Sequence, residues 1–184
     1  GMECLLAGKY FAGGLWNKIY RAKLFSNVRL KEDIKFNEDV LANYYLFDNA
    51  NNTVYSDEPF YNYVACDDSS THSANALISR KQGYEVARIM LQKSMNKPYC
   101  EFAKIRYLGN LLSLYGTYRT SLNKVEKSEY ENLFSEIKTF KDEGYYQGKR
   151  DKVLIFMYRY MPHFYLITYK IYDKIRVKKL DPEQ

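Results

Sequence analysis

The feature that most constrains this chain is a helical apolar rhythm running through its second half. Phe102, Ile105, Leu108, Leu112 and Tyr115 recur at steps of three and four, which places them along one stripe of a long helix facing a core. A second start signal follows. Ser128 and Glu131 have the S-x-x-E capping-box spacing, and Tyr130, Leu133, Phe134 and Ile137 share one face beyond it. Only nine glycines and four prolines are spread over 184 residues, too few for a fold built on many tight turns. From about residue 74 onward the chain therefore reads as helical.

The first half is more varied. Residues 15–25 (LWNKIYRAKLF) read as a short helix or a strand–helix junction holding the single tryptophan, Trp16. Residues 37–50 predict a helix. Asn37 suits its N-cap, Glu38 and Asp39 fall in its first turn, and Val40, Leu41, Tyr44 and Phe47 form its buried face. Residues 53–65 (TVYSDEPFYNYVA) predict two short strands broken at Asp57 and Pro59, followed by the polar loop DDSSTHS at residues 67–73. Cys4, Cys66 and Cys100 are odd in number and widely spaced, which argues against a disulfide framework and for a reducing compartment. Two histidines, His72 and His163, are too few for a histidine-rich metal site. No apolar run has the length of a membrane span, and Lys9 interrupts the one apolar stretch near the start.

Charge is distributed unevenly. Residues 1–148 carry 19 basic and 18 acidic side chains, whereas residues 149–179 carry nine basic and two acidic ones. The tail mixes these cations with bulky apolar and tyrosine side chains. It suits the plane of an anionic membrane surface, or equally a terminal helix that packs its aromatic face on the core and leaves its lysines in water. The cations do not lie on a polar face interleaved with aromatics, and no nucleic-acid-binding signature is present, so nucleic acid is not an expected partner.

Four segments in fixed order, GGLWNKIYRAKLF (13–25), FNEDVLANYYLF (36–47), EPFYNYVA (58–65) and DDSSTHS (67–73), carry a family resemblance. The order resembles the C-terminal half of bacterial family-2 glycosyltransferases, the inverting enzymes of GT-A fold that build surface glycans. The resemblance implies that Asp39, with Glu38 beside it, is the carboxylate base that takes the acceptor's proton. It implies that Trp16, Asn17 and Lys18 line the substrate cleft, that Tyr61 and Tyr63 offer ring faces to sugars, and that Ser70, Thr71 and His72 form a loop near the diphosphate. Bland readings stand beside these. Two acids in a first turn complement the helix dipole, Trp16 serves as a core anchor, His72 sits in solvent, and Ser70 and Thr71 cap a helix.

The family's nucleotide-binding half and its D-x-D metal motif have no counterpart here, and Asp67 and Asp68 are adjacent rather than spaced. The resemblance thus implies a partial or truncated transferase, inactive alone, with no cofactor of its own. The complete family uses Mg or Mn with a nucleotide-sugar. The expected fold is α+β and predominantly helical, a partial GT-A fold with a small β-hairpin near residues 53–64. Its expected divisions are an acceptor-side segment (2–73), a helical extension (74–148) and a basic aromatic tail (149–184). Expected partners are a glycan or lipid-linked acceptor, an anionic membrane surface through residues 149–179, and a second copy in a homo-oligomer that covers the surface a sheet would have hidden. The expected place is the cytoplasm, at the inner face of the membrane. The alternative is a non-catalytic helical protein-interaction module.

Overall fold

The computed structural model describes residues 1–11, 13–62, 64, 76–120, 127–142 and 149–161, together with 164 and 167. The elements are α1 (Met2–Ala7), a 3₁₀ turn (Ala22–Phe25), α2 (Glu38–Asn49), α3 (Ala76–Ser94), α4 (Cys100–Thr120), α5 (Lys127–Asp142) and α6 (Lys149–Tyr160). They fall into two compact units, Gly1–Asn110 and Leu111–Gln184, with the α4 helix contributing residues to both.

The first unit is built around α2. Val40, Leu41 and Tyr44 of α2 join Leu6 of α1, Ile34, Val86 and Met90 of α3, and Ala103 of α4 in one buried cluster. The opposite side of α2 is buried too: Ala42 and Leu46 pack with Val28, against Leu15, Tyr20 and Leu24. A helix covered on both sides must satisfy any polar group it carries. The wholly buried Tyr44 does so through its hydroxyl, 2.9 Å from Ser94 Oγ, which in turn donates to the Met90 carbonyl at 2.7 Å.

Two side chains tie the irregular segments to this core. Gln82 of α3 accepts the backbone N–H groups of Lys35 (3.0 Å) and Phe36 (2.9 Å) and donates to the Asp33 carbonyl (3.2 Å), so one amide replaces a missing backbone partner. Arg106 of α4 donates to the Leu5 and Leu6 carbonyls at 3.3 and 3.2 Å, closing the end of α1, and burial holds its pKa below the ordinary guanidinium value.

In the second unit, Leu133 and Ile137 of α5 are buried, as their spacing predicts. Tyr115 stacks with Tyr130 and with Phe134, ring centroids 4.9 and 5.8 Å away. The Tyr130 hydroxyl lies 2.5 Å from that of Tyr115 and accepts from Arg119 at 2.6 Å.

The expected α+β class is corrected. No β-strand is present among the described residues, and the hairpin expected near residues 53–64 does not form where that range is described. Residues 53–57 are exposed and form no helix, turn or bend, and among the described residues they have no partner strand. At the intended turn the donors go elsewhere: Glu58 N–H to Ser56 Oγ at 3.3 Å and Phe60 N–H to the Glu58 carbonyl at 3.0 Å. A two-stranded hairpin is marginal in water even with a good turn, and Pro59 removes a donor from this one.

The family resemblance falls with the sheet. A GT-A fold rests on a β-sheet core, and the helical, strand-free described structure contradicts it. The readings as a glycosyltransferase, as an enzyme of surface-polysaccharide synthesis and as a binder of glycan or lipid-linked acceptors are withdrawn. Self-association inferred from an uncovered sheet-facing surface loses its premise.

The membrane-surface segment at residues 149–179 is corrected as well. No helix among the described residues is long and apolar enough to cross a membrane. Most of the described part is the twelve-residue α6, and interfacial binding needs apolar and cationic side chains on separate faces. Val153, Phe156 and Tyr160 are exposed at helical steps of three and four, and the exposed Lys149 and Lys152 lie one turn before Val153 and Phe156, so cations and apolar groups share one side.

Candidate functional site

The candidate site lies where residues 13–20 cross the first turns of α2. Two glycines permit the crossing. A Cβ on Gly13 would collide with the Val40 side chain, and one on Gly14 would enter the Trp16 indole, which folds back over it. A side chain at position 13 would push the loop off the helix, and one at position 14 would displace the Trp16 indole.

Asn43 holds the crossing in place. Its side chain is wholly buried. Its amide nitrogen donates to the Gly13 carbonyl at 2.5 Å and the Gly14 carbonyl at 3.2 Å, while its amide oxygen accepts from the Tyr20 hydroxyl at 2.5 Å. Lys18 Nζ adds bonds to the Gly14 carbonyl (2.6 Å) and Asn17 Oδ1 (2.7 Å).

Asp39 sets the local field. Burial lowers the Lys18 pKa, and the Asp39 charge opposes that. Burial pushes the Tyr20 phenol up to about 12, the Asp39 charge pushes the same way, and the Asn43 hydrogen bond opposes both. Asp39 Oδ1 accepts the Val40 N–H at 2.7 Å, a bond within the first turn of its own helix. The expected cap at Asn37 is present by position but not by side chain. Asn37 takes a left-handed backbone (φ 65°), a conformation asparagine tolerates, and makes no side-chain capping bond.

The structure brings several of the sequence-predicted residues together. Lys18 lies within the electrostatic reach of Asp39, and Asn17 contacts Lys18. Trp16 is 46% exposed and packs on Tyr61, with ring centroids 4.7 Å apart. Glu38 is half-buried in the first turn of α2. Tyr63, Ser70, Thr71 and His72 lie outside the described residues. The residues that organise the site, Asn43 and Tyr20, escaped sequence reasoning. One signal was available for Asn43: a polar residue one step before Tyr44 inside the apolar stretch of α2.

Chemically, the cluster is an internally satisfied polar clamp. Tyr20 and Asn43 bond to each other, and the Lys18 ammonium is shared between a carbonyl and an amide oxygen. Among the described residues, no group of three or more His, Cys, Asp or Glu side chains is placed to hold a metal ion. No family model, curated protein or solved structure matches the chain.

Proposed function

We propose that the chain is a non-catalytic helical protein-interaction module. The observation that carries this reading is the set of large apolar side chains left in water on the first unit. Val54 is 91% exposed, Phe60 81% and Ile19 fully so, with Tyr10, Trp16, Tyr55 and Tyr61 also exposed. Large apolar groups exposed on a folded protein mark an interaction site where they cluster, and here Tyr55 lies against Tyr10 and Tyr61 against Trp16. Aromatic residues with low conformational entropy are its usual anchors. The polar groups nearby support the same reading, because Asn43, Tyr20 and Lys18 are engaged in holding the loop.

The test is photo-crosslinking in the native cells, with a benzophenone side chain placed at Phe60, Ile19 or the exposed Lys93. The expected result is one protein captured at Phe60 and Ile19 but not at Lys93. In purified form it should bind the chain, and Phe60→Asp should weaken binding by about tenfold or more, since a buried Phe contributes about 1.5–3 kcal/mol. No capture, or equal capture at all three positions, refutes the proposal.

A further inference from the structure

The segment at residues 53–57 runs without helix, turn or bend, like an edge strand without a sheet. Its residues alternate: the Tyr55 ring packs on Tyr10 (5.4 Å) and Phe11 (5.9 Å), while Val54 points into water. Phe11 in turn meets Phe47 of α2 at 5.1 Å, so the segment is anchored to the core through one face. Among the described residues, no backbone N–H or C=O of residues 53–57 bonds to another backbone group. Thr, Val and Tyr favour the pleated, half-buried environment that a strand provides. Native edge strands carry devices that discourage pairing, such as prolines and charges. Here the acids Asp57 and Glu58 and Pro59 stand together at the C-terminal end, leaving residues 53–56 unguarded.

We infer that residues 53–57 dock an extended segment of a partner protein by β-strand addition, the partner presenting basic side chains opposite Asp57 and Glu58. This rests on the interaction-module reading and specifies its partner. Strand addition draws affinity from main-chain hydrogen bonds and specificity from alternate side chains. Among the described residues both sets of groups are available: a backbone without backbone bonds along residues 53–57 and an acidic pair that fixes register. Opposite charges directly across a strand pair stabilise it and like charges oppose it, so a basic strand is favoured over an acidic one.

The test uses the full chain and a capped probe peptide, acetyl-Lys-Val-Thr-Val-Lys-amide, at up to about 1 mM, a range that detects weak strand pairing. Amide hydrogen exchange in residues 53–57 is the readout. The free chain should exchange these amides without protection. The peptide should protect alternate amides, because one edge of a strand presents every second N–H. A fully N-methylated version of the peptide, which cannot donate to the ladder, should act at least about tenfold more weakly. In a chain carrying Asp57→Lys and Glu58→Lys, preference should pass to the acidic counterpart with Glu in place of both Lys. Absence of protection, equal action by the N-methylated peptide, or an unchanged charge preference overturns the inference. Concentration-dependent protection of the same amides without peptide also overturns it, and assigns the strand to a second copy of the chain. Capture of a partner at Phe60 without peptide protection removes the pairing but leaves the module reading. Loss of that capture removes the reading itself.

Discussion

Replacing Asn43 by alanine is the most searching test of the first unit. The substitution deletes three hydrogen bonds at once: to the Gly13 and Gly14 carbonyls and from the Tyr20 hydroxyl. Each is worth about 1 kcal/mol net, and a polar group left buried without a partner costs about 1–3 kcal/mol. The Gly14 backbone is buried, whereas Gly13 and Tyr20 are only half-buried and can recruit water. The expected loss is therefore about 2–4 kcal/mol, a large share of the ~5–15 kcal/mol typical of a folded domain. The single tryptophan supplies the assay, because the Trp16 indole folds over Gly14 and packs on Tyr61 within the clamped loop. Urea unfolding followed by both Trp16 emission and helical circular dichroism should show one midpoint shifted by the same amount in both signals. Asn43→Asp should be as damaging at neutral pH and less so in acid. It sets a carboxylate against two carbonyls close to Asp39, and protonation relieves that repulsion. A loss below ~0.5 kcal/mol for the alanine variant, with an unchanged urea slope, would show that the clamp does not hold the loop. A shift confined to Trp16 emission would show that it holds the loop but not the unit.

Two further outcomes follow from the same contacts. Gln82→Leu should destabilise the first unit by about 1–3 kcal/mol and speed amide exchange at Lys35 and Phe36, while Gln82→Glu, which keeps the acceptor oxygen, should have the smaller effect on those two amides; equal exchange in the two variants would refute the bridging role. For Tyr20 the sign runs with the protonated form. Its folded-state pKa, pushed up to about 12, exceeds the unfolded value of about 10. Its contribution is complete below pH ~10 and is lost as the pH climbs toward ~12, when the unfolded chain gains by ionising. Burial also raises Tyr45 and Tyr99. Stability measured over roughly pH 9–12 should therefore fall less steeply in Tyr20→Phe than in the parent chain; identical slopes would contradict the buried phenol.

Several elements were legible in the residues because their signals are local. Asn37, the acids after it and the apolar spacing of Val40, Leu41, Tyr44 and Phe47 marked α2, which runs over Glu38–Asn49. The stripe from Phe102 to Tyr115 marked α4, and the S-x-x-E spacing marked α5, which begins one residue before Ser128. The expected hairpin fails for the opposite reason. The alternation in TVYSDEPFYNYVA reports a tendency to be extended, but a strand exists only when a second strand supplies hydrogen bonds, and that is a tertiary fact. The misleading family likeness had the same root, since it drew on short motifs whose meaning depended on a sheet.

Helical periodicity, capping and the uneven charge are properties of neighbouring residues, and the sequence alone determined them. Which polar side chains bridge distant segments was decided only by the folded chain. Asn43 meets Gly13 across thirty positions and Gln82 meets Lys35 across forty-seven. Hydrogen bonds over such separations depend on packing around α2 rather than on any local pattern. That packing set the Asn43 clamp against α2 and left residues 53–57 exposed at the surface without backbone partners among the described residues.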